Sequence, residues 1–188
     1  FLSDAELYNV YLPPFQAAID AGAGNIMSAY MDLNDVPASA NPRLLTDILR
    51  KEMGFKGWVV TDASSVNNLI KQGFATDKAD AAARALTAGV DMEMAMAPNH
   101  FSATLADSVR AGKVPVKRLD EAVRRVLVAK YRMGLFANPY VDADAAKKVL
   151  DDPAHKQAAQ VAAERSLVCS RTKQERCRLM RAQSNAWR

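Results

Sequence analysis

The apolar positions of this chain change period several times, and each change marks an element. Leu44, Leu45, Ile48, Leu49 and Met53 lie at helical spacing, which predicts a helix over 42–53 with Asn41 as N-cap and Pro42 in the first helical position. Gly54 supplies its stop. Trp58, Val59 and Val60 then form a short, continuous apolar run behind Gly57, cut off by Thr61, Asp62, Ala63, Ser64 and Ser65. Such a run predicts a buried parallel strand. Residues 25–30, after Gly22 and Gly24, predict an earlier strand, and residues 90–94, after Gly89, a later one. Helices are predicted over 6–21 (broken early by Pro13 and Pro14), near 77–88, over 102–111 and over 119–133, with a loop between Asp62 and the alanine-rich helix.

Strands alternating with helices indicate a parallel sheet with helical crossovers. The period agrees: Tyr30 and Asp62 end successive strands 32 residues apart, and Glu93 lies 31 further on. A βαβ unit needs about 30 residues, whereas a closed barrel takes eight such units and about 250. The expected fold is therefore α/β, an incomplete TIM-like (β/α) barrel over residues 1–133. Residues 134–168 are expected to be a linker and the start of a second domain, with a helix over 154–165. After Val168 all periodicity is lost.

The chain has 188 residues, 49% of them apolar, enough for one ordinary core. No stretch approaches the ~20 apolar residues of a membrane span. The chain opens on Phe1 rather than methionine, so it is expected to be a piece of a longer protein, and the lack of a signal pattern at its start says little about that parent. The net charge of +4 invites a nucleic-acid reading, but residues 171–188 hold six basic groups against Glu175 alone. That leaves the preceding 170 residues at −1, without a basic face for a phosphate backbone. Cys169 and Cys177 match no common zinc or redox spacing, and His100 and His155 have no partners at metal-ligand spacing. No motif implies a metal or an organic cofactor.

Asp62 is the first candidate for chemistry. An aspartate just past a barrel strand sits on the C-terminal rim, where such folds gather catalytic groups. The competing reading, equally open on this residue alone, is a cap for the following helix. Asp91 and Glu93 end the third strand and are expected on the same rim, where either could reach a substrate. A structural role, such as pairing with Arg84, is at least as good a reading for them. Asn41 reads as a helix cap, and Asp32 and Asp35 beside Asn34 as a solvated turn.

Several runs together resemble a known family. They are Tyr11-Leu-Pro-Pro-Phe15, Ile26-Met-Ser-Ala-Tyr30, Asn34-Asp-Val-Pro37 leading to Asn41, and Leu44-Leu45 with Leu49-Arg50, Glu52, Gly54-Phe55 and Gly57. Val59-Val-Thr-Asp62, Ala88-Gly-Val-Asp-Met-Glu-Met94, Gly134-Leu-Phe136 and Asn138-Pro-Tyr-Val-Asp142 complete the set. In this order, over roughly residues 6–168, they resemble glycoside hydrolase family 3, the β-glucosidase and β-xylosidase type. The resemblance implies a TIM-like first domain in which the aspartate ending the strand at 58–61 is the nucleophile, here Asp62. It also implies that the tyrosine closing the preceding strand, here Tyr30, lines the sugar pocket. Tyr30 offers an aromatic face and a hydroxyl to a sugar ring, against the alternative of a rim aromatic packed in the core. Glu93 is the weaker substrate-binding candidate.

The resemblance further implies retaining hydrolysis of terminal β-linked sugars, β-glucosides ahead of β-xylosides, through a covalent glycosyl-aspartate. Expected partners are a β-linked oligosaccharide or an aryl or alkyl glycoside, with no nucleic acid and no membrane. The parent would be periplasmic or secreted, or else cytoplasmic. Nothing in the sequence sets the oligomeric state. Three departures stand out. Ala63 occupies the place where the family usually has tryptophan, the upstream barrel half with its Lys-His motif is absent, and so is the second domain that supplies the glutamate acid/base in glucosidase-type members. An inactive remnant with weak sugar binding is thus the alternative function. The last 20 residues read as a shifted frame: one permitted set of codons for Cys169 to Leu179, read two bases later, encodes Leu-Lys-Asn-Glu-Ala-Gly-Ala-Leu-Pro-Leu, which resembles the strand expected after Ser-Leu-Val.

Overall fold

The computed structural model describes residues 1–96 and 102–167. His100, Cys169, Cys177 and the tail at 169–188 lie outside the described residues. The fold divides into two compact units, the first Phe1–Pro139 and the second starting at Tyr140.

The first unit centres on two parallel strands, β1 (Asn25–Ser28) and β4 (Trp58–Thr61), in register from Asn25 opposite Trp58 to Ser28 opposite Thr61. Between them lies a small hairpin, β2 (Asp32–Leu33) with β3 (Val36–Pro37). Its turn residues Asn34 and Asp35 have φ of 52° and 66°, so the expected turn has the doubly left-handed form that suits Asn and Asp. The expected strand over 90–94 is reduced to a single parallel bridge between Val60 and Met92. Its ladder is diverted, because Asp91 and Met92 both donate to the Val59 carbonyl and Met94 donates to the Thr61 hydroxyl.

Helices cover one face of this sheet. The first helical run passes through Pro13 and Pro14 rather than breaking there. A wide turn over Leu7–Tyr11 closes with Leu12 N–H on the Leu7 carbonyl. Helix α1 (Leu12–Asp20) then starts afresh, with the two prolines in its first turn, where their missing N–H groups cost nothing. Helix α2 (Arg43–Glu52) occupies the place its leucines predict but is wound with five-back bonds, ending in Met53 N–H on the Ile48 carbonyl. The Asn41 side chain accepts from Leu44 N–H at 3.1 Å, as expected of a cap.

Helix α3 (Ser65–Lys71) replaces the loop expected after Asp62, and buried Val66 and Leu69 account for it as a short apolar face. Helices α4 (Lys78–Ala88), α5 (Leu105–Arg110, after a 3-10 turn at Ser102–Thr104) and α6 (Val116–Arg132) complete the unit. The core lies between sheet and helices, built from Leu45, Leu49, Phe55, Val59, Val66, Leu69, Ala81, Ala85 and Val90. Two glycines are dictated by close approach. A Cβ on Gly57 would sit 2.2 Å from the Gly24 carbonyl oxygen, and one on Gly89, at φ 134°, 2.9 Å from Leu45 Cβ.

In the second unit, α7 (Ala143–Leu150) occupies part of the stretch expected as linker, capped by the Asp142 carboxylate on Asp144 N–H. Helix α8 (Pro153–Ser166) matches the helix expected there, capped by Asp152. His155 lies in its first turn with Nδ1 2.8 Å from the Val149 carbonyl. Among the described residues no helix is long and apolar enough to cross a membrane.

Candidate active site

Side chains alternate along a strand, and the register decides which of them share a face. Met27, Val60 and Met92 form one row across the three parallel segments. Met27 and Met92 are 48% and 43% exposed, so this face is turned away from the helical core. Asp62 follows Val60 by two residues and falls on the same face. The opposite face carries Ile26, Ser28, Val59 and Thr61 against the helices, and the alternation places Asp91 and Glu93 there as well.

Asp62 closes β4. Its N–H still reaches the Ser28 carbonyl at 3.3 Å, one more rung of the parallel ladder. Its carboxylate Oδ1 accepts from Ala63 N–H at 2.7 Å, and its carbonyl accepts from Ser65 N–H at 3.1 Å. The N-cap position of α3 is Ser64, at a left-handed φ of 57°, so the Asp62 side chain does not cap that helix. The turn is pinned from outside by Ser64 N–H on the Met94 carbonyl at 3.0 Å. Asp62 is partly exposed.

Tyr30 stands two residues past the end of β1. Its hydroxyl donates to the Ala63 carbonyl at 2.7 Å, which brings the phenol against the Asp62 turn. Loss of water around the phenol, then the hydrogen bond and negative charge of Asp62, raise the Tyr30 hydroxyl above its ordinary 10.0. Gln72, at the end of α3, donates to both the Tyr30 carbonyl and the Asp32 carboxylate at 3.2 Å. Helix α3 therefore ties down both residues: Asp62 at its start and Tyr30 at its end.

Asp91 takes the structural role that was the alternative reading for this pair of acids. The Asp91 carboxylate has no exposure and accepts from Arg50, from Arg118 at 2.9 Å and from Arg125 at 2.8 Å. Val59 N–H adds a fourth donor at 2.9 Å. Burial lowers Arg50 from its ordinary value while the attraction of Asp91 raises it. Arg84, the partner expected for Asp91, pairs with Asp80 on its own helix at 2.8 Å. That is the i,i+4 geometry of an exposed helix surface. Glu93 is half-buried and lines a crevice of about 70 Å³ with Val66, Ala82, Ala85, Leu86 and Leu105. It faces the helical layer, a placement that lends no support to its expected contact with substrate. An apolar cavity of about 440 Å³ lies between the N-terminal helices, β1 and α2, with neither Tyr30 nor Asp62 in its wall.

Sequence reasoning missed Ser28, Ser39, Ser65 and Gln72. The three serines are buried hydroxyls, and Ser28 and Ser39 sit among mainly apolar residues that leave no polar pattern to read.

Fold and site together define a partial (β/α) barrel with a carboxylate at the C-terminal end of an inner strand and a phenol beside it. The profile of the Glycosyl hydrolase family 3 N terminal domain matches residues 2–129. The chain belongs to glycosyl hydrolase family 3, as the motifs implied. A periplasmic β-glucosidase of Salmonella typhimurium is 47% identical over 139 residues, which is 74% of this chain and 18% of that protein. A β-xylosidase of Formosa agariphila is 39% identical over 176 residues, 89% of this chain and 24% of that protein. The solved β-glucosidase of Erythrobacter marinus matches with a TM-score of 0.82 and 38% identity, over 88% of this chain and 22% of that one. The chain thus spans about a fifth to a quarter of the length of these relatives.

Proposed function

We infer that this chain is the nucleophile-bearing part of a retaining β-glycosidase, with Asp62 as the nucleophile and Tyr30 as a wall of the sugar site. The observation that carries the reading is the position of Asp62. Its carboxylate follows an inner parallel strand, on the face turned away from the helices and beside the Tyr30 phenol. The names of the relatives support terminal β-glucosides as substrate, with β-xylosides next.

In this mechanism the carboxylate attacks the anomeric carbon as the bond to the leaving oxygen breaks. A second, protonated acid about 5–5.5 Å away gives its proton to that oxygen. Water then cleaves the glycosyl ester, and the second residue takes the water's proton. That acid/base comes from a second domain in the longer protein. Residues 1–133 are the catalytic barrel part and residues 134–168 lead into the second domain. The periplasmic relative favours a periplasmic or secreted parent. A slow-turnover fluorosugar given to the completed enzyme should label the peptide that holds Asp62. A label on another carboxylate overturns the assignment.

A second reading is that the 188 residues by themselves are an inactive remnant. The shares of 18% and 24% favour it, because a retaining site needs two carboxyl groups and an enclosing pocket. Met27 and Met92 are exposed, and among the described residues β1 is paired on one side only, so the isolated protein should be poorly soluble and inactive. A monomeric 188-residue protein that hydrolyses an aryl β-glucoside at ordinary enzymatic rates overturns this.

A further inference from the structure

Beneath the Asp62 turn lies a closed ring of hydrogen bonds that no surface feature announces. Ser28 Oγ is 2.8 Å from Ser39 Oγ, and Ser39 Oγ is 2.8 Å from Ser65 Oγ. Ser65 N–H donates to the Asp62 carbonyl, and Asp62 N–H donates to the Ser28 carbonyl, which returns the path to its start. All three serines are buried, Ser39 with 1% exposure. A hydroxyl taken out of water is costly unless it is bonded, and Ser39 is bonded on both sides.

Of the three serines, Ser39 is the one from outside the strands and α3. It sits in a 3-10 turn, Ala38–Ala40, between two buried alanines. That turn is held by Ala38 N–H on the Met31 carbonyl at 3.1 Å, just past Tyr30. The ring therefore grips the backbone of Asp62 on both sides and connects it to the segment carrying Tyr30. Ser64 at φ 57° shows that the clamped turn holds a conformation a non-glycine residue adopts rarely.

We propose that Ser39 is a positioning residue for Asp62: its hydroxyl bridges Ser28 and Ser65 so that the carboxylate is presented at one fixed place beside the Tyr30 phenol. This rests on the reading of Asp62 as nucleophile. A displacement of about 1 Å at a reacting group can cost a hundredfold in rate, so a bridge that never touches substrate still governs turnover.

The test uses the full-length enzyme with Ser39→Ala and Ser39→Cys, the latter keeping the side-chain shape with a somewhat larger, weaker hydrogen-bonding group. On an aryl β-glucoside kcat should fall in the order Ser, Cys, Ala, by about ten- to a hundredfold for alanine, with KM steady within about twofold. Amide exchange at Asp62 and Ser65 should quicken in the same order while Val59 stays protected. Equal kcat in all three proteins, or loss of protection throughout β1, β4 and α3, overturns the proposal. If the alanine variant does not fold, the cysteine variant decides: lowered kcat at unchanged KM supports positioning, and parental kcat refutes it. Asp62→Ala runs alongside. Should that variant remain active the nucleophile assignment is at fault, whereas the exchange at Asp62 and Ser65 still reports on the clamp.

Discussion

The hydroxyl of Tyr30 donates to the carbonyl of Ala63 at 2.7 Å, joining the ends of two neighbouring parallel strands across 33 residues of sequence. The bond depends on the in-register pairing of β1 with β4, which carries both chain segments off the sheet at the same level. It sets the phenol against the Asp62 carboxylate, and the proposed chemistry rests on that pair.

Asp62→Ala in the completed enzyme should abolish turnover and leave the fold, because a rim carboxylate contributes little packing. The expected loss is several powers of ten in kcat/KM, about 4–7 kcal/mol at ~1.4 kcal/mol per decade. Azide should then restore turnover of an activated substrate with inverted product stereochemistry. Near-parental activity in the variant contradicts the assignment.

The Tyr30 phenol should titrate above 10.0, and part of that shift should vanish in Asp62→Asn. A phenol whose folded value is raised contributes stability that is complete below the unfolded value and is lost as pH rises through the folded one. Ultraviolet titration of tyrosinate, with Tyr30→Phe to identify the signal, measures both effects. An unchanged titration in Asp62→Asn rules out the contact between charge and phenol.

Asp91→Ala should destabilise the protein by about 3–5 kcal/mol, since it strands three arginines around a site with no solvent. Arg84→Ala should cost no more than about 1 kcal/mol, as for other exposed pairs on a helix. Urea unfolding compares the two. Similar costs would mean that the Asp91 cluster is not a structural staple.

Asp80 should supply an acid-sensitive increment of stability. Thr76 N–H at 3.0 Å holds its carboxyl below 3.8, partial burial opposes this, and Arg84 adds to the lowering. With the folded value depressed, the increment is present above 3.8 and is lost as pH falls through the folded value. The stability difference between parent and Asp80→Asn should shrink from about pH 5 to about pH 2. A difference that is flat with pH would show that the carboxylate is not held this way.

The coding DNA should change frame close to codon 168, where periodicity stops and one permitted set of codons, read two bases on, encodes a run resembling a second-domain strand. Stop codons in that adjacent frame, or no second-domain sequence beyond it, dismiss the idea.

Much of the architecture was legible because period is a local property. The apolar run at Trp58–Val60 predicts β4, the leucine spacing predicts α2, and units of about 30 residues predict parallel crossovers. The same reasoning put Asp62 at a strand end, and the family motifs gave it a role. Elements whose form depends on a neighbour were read less well. The segment 90–94 is apolar enough for a strand, yet its ladder is diverted to Val59 and the Thr61 hydroxyl, so it closes as one bridge. The prolines at 13 and 14 read as a break, but a wide turn before them lets the helical run continue.

By itself, then, the sequence determined β1, β4 and most of the helices, which family they compose, and that an aspartate ends an inner strand. Only the tertiary structure decided which way the acids point. Asp62 and Glu93 both close stretches expected as strands on the same rim. The register of Val60 opposite Met92 turns Asp62 to the open face and Glu93 to the helices. Asp91 found three arginines from α2 and α6, 27 to 41 residues away in sequence, rather than Arg84. The serine ring is equally invisible in one dimension, because a hydroxyl becomes a bridge only when folding removes its water and sets another hydroxyl within 2.8 Å.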